Sequence, residues 1–228
     1  MRRILAITLT IFAVLSCGLG SSRQGGHSGK TESITLASLP LEALALVYIA
    51  EKEQFFSENG LAVTIKDYDT GVATVDAMLK GEADMAGPTE FVVVRNVLQR
   101  QPISILGSIE KGLTMSLTGL KTRGISGVAD LVGKRIGLAR GSIAEFYLGR
   151  FLDLHGMSVR DVVLVDLSPS KWQDAVSSGD VDAIVGWLPY SIQLQQRFKN
   201  KTVSWQVQSG QQLFGVTEIA VEIDFSKQ

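Results

Sequence analysis

The most informative stretch of the chain is residues 133–156, GKRIGLARGSIAEFYLGRFLDLHG, which predicts a strand, a tight turn and a helix. The apolar run at 135–139 is typical of a buried strand. Between residues 143 and 154, apolar side chains recur at steps of three and four, which indicates a helix with one buried face. Ser142 is placed to be the N-cap of this helix, and Glu145 three positions later completes the sequence pattern of a capping box.

The turn between this strand and helix is a candidate ligand site. Gly141 and Ser142 offer backbone N–H groups and a hydroxyl at the positive end of a helix dipole, which suits a carboxylate, sulfonate or nitrate oxygen. The same pair is also typical of a helix start that binds nothing, so both interpretations stay open. Gly156 has the place of the glycine that ends such a helix.

Length and composition limit the classes of function. The chain has 228 residues, a formal net charge of −1 and 45% hydrophobic residues, which is enough for one large or two small domains with packed cores. It lacks the excess of basic residues that is typical of nucleic-acid partners. The single cysteine, Cys17, excludes an internal disulfide and a cysteine-built zinc or iron–sulfur site. We predict neither a metal nor a cofactor.

The start of the chain has the pattern of an export and anchoring segment. A charged start precedes an apolar run at 4–16, which is short for a membrane span and suits the core of a signal peptide. Residues 14–18, VLSCG, resemble a bacterial lipobox, which implies cleavage before Cys17 and lipidation of that cysteine. We therefore expect a signal peptide at 1–16 and a lipid anchor with a flexible tether at 17–30. An ordinary signal peptide cleaved elsewhere is the alternative.

The two halves of the remaining chain repeat one another. Residues 77–84 align with 175–182 at an offset of 98, and residues 34–37 align with 136–139 at an offset of 102. Strands alternate with helices in both halves, which predicts parallel, right-handed βαβ units and hence two similar α/β lobes. Ligands of such sheets bind at the carboxyl ends of the strands, so two facing lobes would enclose one cleft there.

The candidate ligand-binding residues lie in the turns that follow the strands. They provide helix N-termini, hydroxyl groups and an apolar wall. The candidates are Ser38, Leu39, Thr70, Gly71, Pro88, Thr89, Gly141, Ser142 and Trp187. Three nearby acids, Glu110, Glu145 and Asp69, would disfavour an anion if they point inward, and would favour an amine or an aminopyrimidine instead.

Several short motifs together resemble a known family. They are FFSENGL at 55–61, LKGEAD at 79–84, DLVGKRIG at 130–137, the Gly141-Ser142 pair and GDVDA at 179–183. This ordered set is similar to the solute-binding proteins of ABC importers for nitrate, sulfonates, taurine and thiamine precursors, the SsuA/TauA/NMT1-like group. The resemblance covers roughly residues 33–189.

The resemblance implies a fold of the periplasmic-binding-protein type II class. Such a fold has two α/β lobes, each a mixed, mostly parallel sheet flanked by helices, with a ligand cleft between the lobes. Lobe 1 is expected at 31–112, lobe 2 at 113–212 and a return crossover toward lobe 1 at 213–228. Family members usually continue with helices that close the first lobe, and we expect those helices to be absent here.

The resemblance also implies a function without enzyme activity. It implies a monomeric, lipid-anchored protein on the extracytoplasmic face of the membrane that hands a small solute to an ABC permease. A ligand sensor for a signalling receptor and a small-molecule enzyme on the same fold are the alternatives. No serine has a base partner at a motif spacing, and His155 is placed as a partner of a helix C-terminus. Asp84 and Asp182, equivalent in the repeat, are expected to bond local backbone rather than to form a carboxylate site.

Overall fold

The computed structural model describes residues 29–208 and 215–222, which form two five-stranded sheets. The first sheet consists of β1 (Glu32–Ser38), β2 (Leu61–Asp67), β3 (Met85–Ala86), β4 (Ile103–Gly112) and β10 (Gly215–Glu222). The second consists of β5 (Ser116–Leu120), β6 (Arg135–Leu138), β7 (Val163–Asp166), β8 (Ala183–Gly186) and β9 (Thr202–Gln206). The predicted signal peptide at 1–16 and the predicted lipidation of Cys17 lie outside the described residues.

The two sheets share one topology. The strand order is β2-β1-β3-β10-β4 in the first sheet and β7-β6-β8-β5-β9 in the second. In each sheet four strands point the same way, and only the strand that arrives from the other lobe, β10 or β5, is antiparallel to its neighbours. The predicted fold of two α/β lobes with mixed, mostly parallel sheets is therefore confirmed. The chain first crosses between the sheets from Gly112 to Ser116.

Helices cover the faces of both sheets. Those of the described residues are α1 (Ala45–Lys52), α2 (Phe55–Glu58), α3 (Gly71–Leu79), α4 (Glu90–Leu98), α5 (Ile143–Leu154), α6 (Trp172–Ser178) and α7 (Tyr190–Arg197). The apolar spacing after residue 41 predicts one helix that ends before Asn59. The structure instead separates α1 from α2 at Gln54, whose φ of 63° is left-handed and interrupts the helix.

The structure shows the repeat, and its two aspartates bond backbone as the sequence predicts, although the backbone belongs to a neighbouring strand 49 and 47 residues away and is not local. Asp84 Oδ2 accepts a hydrogen bond of 2.7 Å from the backbone N–H of Thr35. Asp182 Oδ2 accepts the equivalent bond of 3.0 Å from Arg135, whose guanidinium also bonds the carboxylate at 2.8 Å. The hydrogen bonds from Arg135, more than its charge, lower the pKa of Asp182. Each carboxylate thus ties the start of a strand to its neighbouring strand.

The structural equivalence corrects one detail of the predicted repeat. Leu36 pairs with Met85 in the first sheet, and Ile136 pairs with Ala183 in the second. Leu36 therefore corresponds to Ile136, at an offset of 100 rather than the 102 of the sequence alignment. A shift of two residues leaves every side chain on the same face of a strand, so the apolar pattern alone does not reveal it.

The core of the second lobe is one continuous cluster, with Tyr147 and Trp172 among its fully buried side chains. A β-carbon at Gly186 on β8 would overlap the ring of Trp172, so the absence of a side chain here lets the indole approach the strand. The buried side chains of the first lobe fall into several smaller clusters instead. The cleft lies between these two lobes.

Candidate functional site

A cleft between the lobes is lined by residues from both sheets and from the returning strand β10. Its empty space is about 610 Å³ when open solvent at its mouth is included, and about 50 Å³ of it admits the centre of a water molecule. The lining is mostly apolar, with a few polar groups, as in many small-molecule sites. The residues of the first lobe are Leu39, Leu41, Glu42, Ala43, Gly71, Thr89, Val92 and Glu110. Those of the second lobe and the crossings are Thr114, Met115, Ser142, Ile143, Trp187, Leu188, Gly215 and Thr217.

Five of the nine predicted ligand-binding residues line this cleft. They are Leu39, Gly71, Thr89, Ser142 and Trp187. The other four, Ser38, Thr70, Pro88 and Gly141, lie directly beside lining residues in the chain and are not part of the lining.

Three of these four residues have local structural roles. Ser38 is fully buried at the end of β1, and its carbonyl accepts a bond of 2.9 Å from the N–H of Tyr68. Thr70 is the N-cap of α3, and its Oγ1 accepts a bond of 3.1 Å from the N–H of Ala73. Pro88 supplies the carbonyl that receives the N–H of Glu218 at 2.8 Å, which attaches the returning strand.

The Gly141-Ser142 turn, the first candidate anion site, already uses several of its polar groups internally. The Ser142 hydroxyl donates to the carbonyl of Ala139 at 2.7 Å and accepts from the N–H of Ala144 at 3.2 Å. The N–H of Gly141 donates to Glu145 Oε2 at 2.7 Å, so a carboxylate of the chain itself already lies at this helix N-terminus.

This geometry confirms Ser142 as the N-cap of α5 and corrects the predicted capping box. In a capping box the serine accepts from the third helical N–H, and the glutamate accepts from the N–H of the serine. Here each bond is shifted by one residue, to Ala144 and to Gly141. Gly141 has a φ of +70°, and the guanidinium of Arg95 lies where its side chain would be, so the turn is also a contact between the lobes.

Two buried side-chain polar atoms of the lining have no hydrogen-bond partner. One is the Oγ1 of Thr89, at the N-terminus of α4, and the other is the Nε1 of Trp187, after β8. Trp187 is only 7% exposed, although its edge has no acceptor. Because a buried polar group without a partner costs free energy, these two atoms are candidates for ligand contact, although Ser38 Oγ and Ser116 Oγ outside the lining also lack a partner.

Carboxylates surround the first-lobe side of the cleft. Glu42 and Glu110 line it, and Glu90 and Glu218 lie behind them. Burial raises the pKa of Glu110, and the charge of Glu42 raises it further, against a hydrogen bond from Thr217. Burial likewise raises the pKa of Glu90, with smaller contributions from Glu218 and Glu110. Among the residues that the structure describes, the lining contains no lysine, arginine or histidine.

The inner two carboxylates are held by the returning strand and its neighbour. Glu90 Oε2 accepts a bond of 2.8 Å from the N–H of Val216, and Glu218 Oε2 accepts one of 2.7 Å from Ser108. Thr217 Oγ1 donates to Glu110 Oε2 at 3.2 Å. The sequence flagged Glu110 and missed Glu42, Glu218 and Thr217. It also did not reveal the partners of Glu90 and Glu110, because β10 brings together groups more than 100 residues apart.

The other two flagged acids lie away from the lining. Glu145 bonds the Gly141 turn, and Asp69 is exposed. His155 Nδ1 lies 2.7 Å from the carbonyl of Phe151, so the histidine is the helix-end partner that the sequence predicts. Within residues 29–208 and 215–222, no group of three or more potential ligands is arranged to hold a metal ion. Across the same residues, every helix is too short or too polar to traverse a bilayer.

The lobes also touch directly on one side of the cleft. The ring of Phe91 on α4 stacks on that of Phe146 on α5, with 5.2 Å between the ring centroids. Arg95, one turn further along α4, covers Gly141. These contacts cross from one lobe to the other, so they must change if the lobes move apart.

The geometry has a counterpart among known proteins. Residues 43–218 match the model of the family described as NMT1/THI5 like. This chain belongs to that family. A relative in Escherichia coli (strain K12), named as a taurine-binding periplasmic protein, is 29% identical over 154 residues, which are 67% of this chain and 48% of the relative. A putative aliphatic sulfonates-binding protein of Bacillus subtilis (strain 168) is 26% identical over 200 residues, 82% of this chain and 57% of the relative.

The fold is that of solved binding proteins. The alkanesulfonate-binding protein SsuA of Xanthomonas axonopodis pv. citri, solved with bound MOPS, superposes with a TM-score of 0.74 at 20% identity, over 88% of this chain and 68% of that one. One relative is named for an enzyme activity: a 4-amino-5-hydroxymethyl-2-methylpyrimidine phosphate synthase of Aspergillus parasiticus is 24% identical over 143 residues, 62% of this chain and 41% of that one. The chain spans about half the length of the curated relatives it matches.

Proposed function

We propose that this chain captures a small molecule between its two lobes on the extracytoplasmic side of a membrane and delivers it to an ABC importer. The observation that carries the proposal is the cleft itself, because both lobes and the returning strand contribute to one lining that contains unpartnered polar atoms. Binding in such a cleft stabilises the closed arrangement of the lobes, and a permease can then recognise the closed form.

The proposed solutes follow from the relatives. Nitrate, alkanesulfonates, taurine and thiamine precursors are the classes that the family resemblance suggests, and two of the relatives are named for taurine and aliphatic sulfonates. We further propose that Cys17 is lipidated after removal of residues 1–16, that the protein acts as a monomer, and that the anchor keeps it near its permease. Mass spectrometry of the membrane fraction tests the anchor, since a diacyl-modified Cys17 is expected at the mature N-terminus.

An enzyme is the second candidate, because a relative is named as a pyrimidine phosphate synthase. The described lining offers hydroxyls, carboxylates and an indole, and it contains no cysteine or histidine for nucleophilic catalysis. Binding without turnover is therefore the function that the lining supports best. Recovery of each test compound unchanged after long incubation is expected, and a new product would favour the enzyme.

A thermal melt of the purified protein with a panel of compounds tests the binding function. The panel holds nitrate, alkanesulfonates, taurine, aminopyrimidines and short carboxylates. A ligand at about 100 times its dissociation constant stabilises the folded state by roughly 2.7 kcal/mol, which raises the melting temperature of a domain of this size by about 5–10 °C. A cooperative melt that no panel member shifts would contradict the proposed function.

The matched variants for this melt are two tryptophan substitutions. Trp187→Phe removes an unpartnered N–H of the lining, whereas Trp205→Phe changes a partly buried tryptophan of the same lobe that is not in the lining. The shift caused by a cleft ligand should fall in Trp187→Phe and persist in Trp205→Phe. An equal shift in both variants would indicate that the compound binds elsewhere.

A further inference from the structure

The charged side chains of the cleft are unevenly distributed, with carboxylates on its first-lobe wall. Its first-lobe wall carries the carboxylates of Glu42 and Glu110, with those of Glu90 and Glu218 behind them, and its described lining has no basic side chain. Helix N-termini at Thr89 and Ser142 would suit an anion, so the acids oppose what the helices favour. The wall therefore has a charge preference of its own.

The inner and outer carboxylates differ in how well they are bonded. Glu90 and Glu218 accept short bonds from Val216 and Ser108, at 2.8 and 2.7 Å. Glu110 accepts only the longer bond of 3.2 Å from the Thr217 hydroxyl. The outer pair thus keeps acceptor capacity toward the cleft, since a carboxylate can accept about four hydrogen bonds.

The acids also repel one another, with Glu42 exposed, Glu110 and Glu90 partly buried and Glu218 buried. Glu42 and Glu110 are close enough for the first to raise the pKa of the second, and Glu110 and Glu218 do the same to Glu90. Neighbouring like charges are unfavourable, most of all for a partly buried carboxylate such as Glu110, unless a positive group neutralises them. A positive charge in the cleft would offset this repulsion and the loss of hydration.

The opposite wall supplies an independent sign of a ligand. Trp187, on the second lobe, is only 7% exposed. Its Nε1 is buried without a hydrogen-bond partner, and an indole N–H can only donate. A hydrogen-bond acceptor on the ligand would satisfy it. The first lobe thus suits a ligand group that is positively charged and donates hydrogen bonds, and the second lobe suits a group that accepts one. Apolar side chains such as Leu39 and Ile143 also line the cleft.

We propose that the solute carries a cationic nitrogen, held by Glu42 and Glu110, and an acceptor group that faces Trp187. This rests on the proposed binding function and sharpens it, because nitrate and amine-free alkanesulfonates lack the group that the first lobe recognises. The acceptor can be a sulfonate, a carboxylate or a carbonyl, since each accepts a hydrogen bond from an indole N–H.

Isothermal titration calorimetry with compounds paired by the presence of an amine tests the proposal. Taurine is compared with ethanesulfonate, and β-alanine with propionate, at neutral pH. The amine-bearing member of at least one pair should bind about tenfold more tightly or better, because hydrogen bonds to charged groups contribute about 1.5–3 kcal/mol. Equal or tighter binding of the amine-free members would overturn the charge preference and leave the binding function intact.

Variants connect the preference to the named residues. Glu110→Gln should weaken binding of the amine about tenfold and bring its affinity close to that of the amine-free partner. Glu51→Gln, an exposed carboxylate on α1 outside the cleft lining, is the control and should change neither affinity. An unchanged amine preference in Glu110→Gln would overturn the assignment. If no compound binds with a dissociation constant of about 10 mM or tighter, both the binding function and the amine preference are overturned.

Discussion

Thr89 and Ser142 occupy comparable places in the two lobes and behave differently. Each is an extended N-cap that follows a strand and opens a helix at the cleft, α4 in the first lobe and α5 in the second. The Ser142 hydroxyl makes two hydrogen bonds within its own turn, whereas Thr89 Oγ1 has no partner. A serine with helix-capping bonds is part of the scaffold, and the unbonded threonine is the better candidate for ligand contact.

The same contrast separates the walls of the cleft. The glycine turn at 141–142, which the sequence singles out, is closed by Glu145 and covered by Arg95. The first lobe presents the outer carboxylates, Glu42 and Glu110, to the cleft. Similar topology therefore does not give similar chemistry, since the turn that the motif marks is bonded internally whereas Thr89 Oγ1 has no partner.

The lobes differ most in their cores, and a glycine substitution should expose the difference. Gly186→Ala places a β-carbon against the ring of Trp172 at the centre of the continuous second core. We expect a loss of about 3 kcal/mol in the free energy of unfolding, because the indole and strand have no room to separate. Urea unfolding measures it. Gly107→Ala on β4, where no atom lies within 4 Å of a new β-carbon, is the control and should change little.

The equivalent aspartates should differ in proportion to their partners. Asp182→Ala removes bonds to the backbone and the guanidinium of Arg135, whereas Asp84→Ala removes one backbone bond from Thr35. We expect losses of about 2 and about 1 kcal/mol. The pKa of Asp182 is lowered in the folded state, so its contribution is present at neutral pH and is lost as the pH falls through that lowered pKa. Equal losses would mean that the guanidinium bonds contribute nothing.

Substitutions at the two N-caps test the difference in bonding between Ser142 and Thr89. Ser142→Ala should cost about 1 kcal/mol, since a bonded cap is lost. Thr89→Val keeps the shape and removes a hydroxyl without a partner, so its effect on stability should stay within about 0.5 kcal/mol. Thermal and urea melts of both variants are compared. A larger loss in Thr89→Val would show that its hydroxyl is bonded in the folded protein.

The smallest expected effect is the pH dependence that Glu110 contributes. Its pKa is raised in the folded state, so the folded protein holds this proton more tightly than the unfolded chain does. The charged group therefore destabilises the fold above that raised pKa, and the penalty disappears as the pH falls toward the unfolded value of about 4.3. Glu110→Gln should stabilise by a few tenths of a kcal/mol at pH 7.5, because solvent screens the site, and by nothing near pH 4.

Other titratable groups near Glu110 must be considered when the pH series is interpreted. Glu42 lies beside Glu110, and Glu90, Glu218 and Tyr147 form the charged and titratable surroundings of the inner acids. Melts from pH 4 to pH 8 of the wild type, Glu110→Gln and the control Glu51→Gln separate their contributions. A stabilisation of Glu110→Gln that is the same at both ends of the series would assign the effect to packing rather than charge.

Local sequence patterns predicted much of the fold and only part of the site. Ser142 as N-cap and the repeated βαβ units depend on neighbours in sequence, which periodicity and spacing reveal. The backbone bonds of Asp84 and Asp182 instead join residues 49 and 47 apart in the chain. The crossing strand β5 and the strand β9 were not predicted. Their order in the sheet is set by pairing with strands that are distant in the chain.

Glu110 was flagged from the sequence, but the hydrogen bonds that assemble the acidic wall were missed for the same reason. Glu90 and Val216 are 126 residues apart, and Glu110 and Thr217 are 107 apart, so no local motif contains either pair. Only the return of β10 between β3 and β4 brings them to one place. A ligand preference that depends on contacts between residues distant in the chain cannot be predicted from local sequence spacing.

The most direct test of a solute site between the lobes is the fluorescence of Trp187 during titration with taurine. Ligand in the cleft changes the surroundings of this indole, whose Nε1 has no partner without it. We predict a saturable fluorescence change in the wild type and in Trp205→Phe that is lost in Trp187→Phe. A saturable change of the same midpoint and amplitude in Trp187→Phe, or no change in the wild type, would contradict binding in this cleft.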